Sequence, residues 1–285
     1  MFIIQASDSE LTLAGSDVTS TVLSRPYVNA ATDGQEAVVV AFPVNRTGSV
    51  SIGADSQVYG GEFNFVAKFI RGVETDWDLI AGLRCMVLEE GINVQQSTTA
   101  GTGNNMRFNG AAVAAGSVVS AFDSFETQNR FAGAQIGVRQ ECRLAHLLLG
   151  WQFKVAAGVN RQTIDINGAS TRTTGGVTTT LPGGVLALPT NIGRVVLNDF
   201  TVVPQLQFTV GYQCAENLRF WAAYECLIWS NAVRPGAQID PQLDVTQLPT
   251  SASFNAAAAA TRPIATLDQN SVLIQGISIG MEMKY

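Results

Sequence analysis

Few side chains in this sequence could carry out chemistry. There is one histidine, His146, among 285 residues. A histidine-built metal centre or a Ser-His-Asp arrangement has almost nothing to draw on. Glu89 and Glu90 are acids of the kind that serve proton transfer. Neighbours on a strand point to opposite faces, so the two cannot act on one substrate. Asp240 and Asp244 share a long loop, where they either hold a cation or are solvated loop charges. The Gly-rich stretches "GTGNNMRFNG" (101–110) and "GGVTTTLPGG" (175–184) lack the lysine and the strand-to-helix setting of a phosphate loop and read as flexible connections. The four cysteines fit no metal spacing. Cys85 and Cys226 fall on apolar strand faces as unpaired packing residues. Cys142 and Cys214 fall near turns, where pairing stays open. No nucleophile converges with a base, so the expectation is a protein that is not an enzyme, with no catalytic residues, no metal and no cofactor.

What remains is a set of polar residues with strand spacing: Glu62, Lys68, Asp78, Arg84, Arg139, Glu141, Lys154, Gln205, Arg219, Glu225 and Glu282. Two kinds of chemistry suit it. It could line a pore and set ion preference. Equally, it could be a mutually paired network filling a narrow lumen, since side chains alone fill an eight-stranded barrel.

The elements that would hold this set in place are strands. Charged residues are 14% of the chain and apolar residues 46%, against roughly 25% charged in soluble domains. Mean hydropathy is +0.17. No run of about 18 apolar residues occurs, so a membrane could be crossed only by a closed set of strands. Net charge is −6, which argues against nucleic acid as a partner.

Alternation with period two recurs along the chain. In 57–70, Tyr59, Gly61, Phe63, Phe65, Ala67 and Phe69 oppose Glu62, Asn64 and Lys68. In 76–90, Trp77, Leu79, Ala81, Leu83, Cys85 and Val87 oppose Asp78, Arg84 and Glu90. Centring the pair on "RGVET" sets Lys68 against Asp78 and Glu62 against Arg84, opposite charges across a hairpin. The pattern continues in 132–141, 151–162, 198–213 and 218–229, and in the final "LIQGISIGMEMKY".

Eight strands are predicted near 1–13, 47–70, 75–97, 119–142, 144–164, 197–213, 217–230 and 270–285. Short turns alternate with long loops at about 95–120, 165–197 and 231–268, as in outer-membrane barrels. Phe69, Trp77, Tyr212, Phe220 and Tyr285 lie on apolar faces at the short-turn end, where an interfacial aromatic girdle belongs. The predicted fold class is therefore all-β: an antiparallel up-and-down transmembrane β-barrel, incomplete if further strands exist. It forms one domain over 1–285, with a first strand and long loop in 1–46 and a meander in 47–285.

Six stretches, in order, resemble a β-barrel porin family of planctomycete bacteria: "LSRPYVNAATDGQEAVVVAFP" (23–43), "YGGEFNFVAKF" (59–69), "DLIAGLRCMVLEEGINV" (78–94), "NRFAGAQIGVRQE" (129–141), "LPGGVLALPTNIGRV" (181–195) and "IWSNAVRPGAQID" (228–240). The resemblance implies a bacterial outer-membrane barrel that passes small polar solutes by diffusion, with outer-membrane lipid and the barrel-assembly machinery as partners. It leaves oligomeric state open. Family members carry a signal peptide and earlier strands; here Met1 leads straight into "FIIQAS", and a truncated chain or a misplaced start is expected. The ending "SIGMEMKY" is similar to the last-strand signal of such barrels, with Ser278, Gly280, Met283 and Tyr285 in the reading positions. The alternatives are a non-conducting barrel with a structural or display role, and a soluble β-sandwich binding module.

Overall fold

The computed structural model describes residues 2–15, 22–215 and 217–283. Eight strands form the main path of one antiparallel sheet, which a short ninth strand, Val177–Pro182, joins at its side: β1 (Phe2–Gly15), β2 (Arg46–Arg71), β3 (Thr75–Ala100), β4 (Val118–Leu144), β5 (Leu147–Thr174), β6 (Gly193–Ala215), β7 (Leu218–Val233) and β8 (Gln269–Met283). Each pairs with the next, so the sheet is a plain meander. It curls into a half-barrel. Among the described residues β1 pairs only with β2, and β8 only with β7. Glu62 stands opposite Arg84 and Lys68 opposite Asp78, the register expected from the turn.

The curl separates the two faces of every strand. Convex positions are apolar: Leu79, Leu83, Ile136, Phe153, Phe208 and Ile277 all point outward and are exposed. Ile277 and Ile279 reach 75% and 81% exposure, which no water-soluble surface of this extent supports. From Trp77 to Val87 the outward positions stay apolar; at about 3.4 Å per residue and roughly 40° of tilt, that belt is about 25 Å tall. It matches the hydrocarbon thickness a barrel must cross. A soluble sandwich needs a second sheet over these faces, and none covers them among the described residues.

The strands run well past the belt, and here the expected boundaries need correction. The region 165–197 was expected to be loop. Instead β5 continues to Thr174, Val177–Pro182 returns along it, and β6 begins at Gly193. Beyond the apolar belt Thr, Gly, Ser and Asn join the outward positions. The two-residue period disappears while the strand goes on.

The long connections do not dangle. Strands Leu23–Asn29 and Gly34–Ala41 form a hairpin, and Gln242–Leu243 pairs with it in parallel. Tyr27, Leu188 and Leu243 pack together, as do Ala121, Val185 and Leu248. A third cluster joins Phe125, Ile164, Ile166 and Val233 of the wall to Ala187. The long connections thus fold back into the concave side and plug that end of the half-barrel.

Curvature has a local cause. Gly133 lies directly opposite Gly158. A Cβ at Gly158 would sit 2.1 Å from the Ala132 carbonyl oxygen and 2.4 Å from the Gly133 Cα. Only glycine permits that approach, and such positions let a sheet bend.

Candidate functional site

The concave wall carries the polar set in layers. Nearest the short turns, Arg139 holds Asp78 through Nε at 3.1 Å and Nη2 at 2.6 Å. Arg71 lies 2.7 Å from Asp76. Arg143 reaches Asp76 at 2.9 Å and Glu141 at 3.4 Å. Arg219 pairs with Glu282 at 2.6 Å across β7 and β8. A cavity of about 230 Å³ opens here, lined by Arg139, Gln152, Gln207, Thr209, Arg219 and Trp221.

At mid-depth, three strands send charges to one point. Glu62 of β2 accepts Arg84 Nη2 of β3 at 2.5 Å and Lys154 Nζ of β5 at 2.6 and 2.8 Å. Gln135 of β4 donates to it at 3.0 Å. Arg84 also donates to Gln205, which in turn donates to Glu225 at 2.6 Å. Arg84 and Lys154 side chains are each 3% exposed. Two cations on one carboxylate would be unstable in lipid; on the lumen side the acids neutralise them. Lys68 has the predicted register but makes no such contact: it is exposed, and Asp78 turns to Arg139 instead.

Above this network lies a layer that sequence reasoning missed. Met86, Leu88, Phe131, Val203, Leu227 and Trp229 face inward and are buried together. Phe131 and Trp229 meet edge-on at 6.3 Å. Their alternation phase was the available signal: each shares a face with the charges. Higher still, Arg234 closes on Glu90 at 2.6 and 2.9 Å.

The plug hangs on Asp123. Its Oδ1 accepts the backbone N–H groups of Val185, Leu186 and Ala187 at 2.8, 3.0 and 2.8 Å. Its Oδ2 takes Arg25 of the hairpin at 2.5 Å. Both side chains are buried. Asp240, expected to be a solvated or cation-binding loop charge, is instead buried and accepts Arg262 at 2.8 Å and the Ile264 N–H at 2.9 Å. Asp244 accepts the Thr246 N–H and hydroxyl. In the hairpin, donors from Asn29 and Tyr27 hold the Glu36 carboxyl below its ordinary range. Burial, reinforced by Glu36, pushes the Tyr27 phenol well up.

Of the predicted girdle, Phe69, Trp77, Tyr212 and Phe220 lie outward at the short-turn end. Tyr212 stands opposite Phe220. Trp77 meets Trp151 edge-on at 5.7 Å, adding Trp151 to the row. Phe69 occupies a bulge between Lys68 and Ile70 and is exposed. In the final strand Ser278 faces Ala223, and Gly280 lies under the Trp221 ring, where a Cβ would come within 2.4 Å. Met283 is outward. Tyr285, called for both the girdle and the ending signal, lies outside the described residues. All four cysteines are free, Cys142 and Cys214 included.

Comparison with curated proteins and with solved structures finds no match. The family described as Putative beta barrel porin-7 matches residues 1–285. With an apolar convex belt, a charged concave wall and that match over its whole length, the chain belongs to this β-barrel porin family.

Proposed function

We propose that the protein is an outer-membrane channel component through which small polar solutes diffuse passively. One observation supports this reading above the others. Glu62, Arg84 and Lys154 meet on the concave side at the depth of the apolar belt. Charges at that depth are tolerated only where they face a protein-lined or aqueous lumen. The same groups are the selectivity element of the proposed path, and the cavity at Arg139 and Arg219 is its short-turn entrance. The protein acts without cofactor or covalent chemistry in this reading.

A second reading has its own support. The Phe131–Trp229 layer and the docked loops fill the concave side above the charged network. They favour a non-conducting barrel with a structural role. Planar-bilayer recording of the purified protein separates the two. Stepwise conductance in potassium chloride is expected for the channel; silence, with insertion verified by protease protection, assigns the structural role.

A further inference from the structure

The convex belt ends abruptly on β4 and β5. From Val138 to Ala132 on β4 and from Leu149 to Val159 on β5 the outward positions are apolar or small. The next outward positions are Arg130 and Arg161, and these two stand directly opposite each other. Like charges directly opposite on a sheet destabilise the pair. Both side chains are exposed. Neither guanidinium has an ion-pair or hydrogen-bond partner among the described residues. Their other cross-strand neighbours, Val87 and Asn198, carry no charge. Glu89, diagonal to Arg130 on β3, is engaged at its Oε1 by Tyr59 and Gln128.

We propose that Arg130 and Arg161 form a clamp for the phosphate of an anionic lipid headgroup at the long-loop edge of the membrane. The position fits the partner. One step towards the short turns the wall is apolar and meets acyl chains. One step the other way stand Gln128 and Thr163, which are opposite each other and neutral. A phosphate at this level lies where headgroups lie. Two planar guanidiniums side by side match its oxygens, each offering a bidentate fork. The anion removes the repulsion that the bare pair carries. A lipid is favoured over free phosphate because the site abuts the apolar belt, so the acyl chains of the same molecule cover Ala132 and Val159.

The inference rests on the membrane-spanning reading above, and the test separates the two. The full chain is reconstituted into phosphatidylcholine vesicles with and without phosphatidylglycerol. Retained lipids are counted by native mass spectrometry after detergent exchange. The expected result is selective retention of phosphatidylglycerol by the wild type. Retention falls roughly thirtyfold in the Arg130→Gln/Arg161→Gln double variant, each basic group near the surface contributing about a factor of five. Arg130→Lys/Arg161→Lys keeps part of it, and Arg107→Gln, in the connection between β3 and β4, changes nothing. Heat-modifiable gel migration verifies that each variant is folded. Equal retention by wild type and double variant overturns the clamp. Competition by inorganic phosphate alone overturns the assignment to lipid. Failure of the wild type to insert into either vesicle overturns the membrane reading and the clamp with it.

Discussion

Replacing Asp123 with alanine tests whether the plug is held at one point. The carboxylate satisfies three backbone N–H groups and one guanidinium, all within 3.0 Å. A buried donor left unsatisfied costs about 1–3 kcal/mol, and breaking a buried ion pair from one side costs about 3–5 kcal/mol. The segment can relax towards water, so these do not sum, and about 4 kcal/mol is the working figure. At 1.36 kcal/mol per decade that is close to a thousandfold. Amide hydrogen exchange over 183–192 should therefore accelerate by about that factor, while exchange in the belt segment 147–159 stays unchanged. Arg25→Met should do much less, about tenfold, because Asp123 keeps its three backbone donors. Equal effects of the two substitutions, or under tenfold for Asp123→Ala, would refute the keystone role.

Three other outcomes are expected. Glu62→Gln leaves Arg84 and Lys154 without their shared carboxylate, so the reversal potential in a potassium chloride gradient should move towards anion selectivity; an unchanged potential removes Glu62 from the path. In bilayers a water-soluble maleimide should label Cys214, which is exposed beside a short turn, and spare Cys85, which is exposed within the apolar belt; rapid labelling of Cys85 contradicts the membrane reading of the belt. The Tyr27–Glu36 hairpin should be most protected at intermediate pH. The lowered Glu36 value contributes stability above about pH 4.3 that fades as acid protonates it. The raised Tyr27 value contributes stability below about pH 10 that fades as alkali ionises it. Exchange in 23–41 measured across pH checks both limbs, and loosening at neutral pH runs against them.

Legibility followed the solvent. Inside the belt one face of a strand is apolar and exposed while the other packs on protein, and the difference writes a period of two into Trp77–Val87 and Val202–Tyr212. Past the belt both faces are wet or irregularly packed, so Thr171–Thr174 reads as loop while it is strand. Register was legible at Glu62 and Lys68 because a short turn sets it. The convergence on Glu62 was not, since Lys154 arrives from another hairpin 92 positions away. The Asp123–Arg25 link spans 98 positions, beyond any local pattern. Its one local trace is an acid in phase with the inward-facing Val119, Ala121 and Phe125. The Phe131–Trp229 layer was hidden for another reason: an apolar residue on the lumen side looks like noise in an alternation whose charges define the face.

The connections that build the plug all lie at one end of the sheet. On the proposed membrane reading, each is carried across the bilayer as open chain before it docks. Arg25 cannot meet Asp123, nor Asp123 the 185–187 segment, until three separate crossings are complete. The plug is therefore the last thing to form. Once formed it ties the first connection to the third, so no single hairpin can slip back without dismantling it. On that same reading the plug acts as a ratchet on insertion.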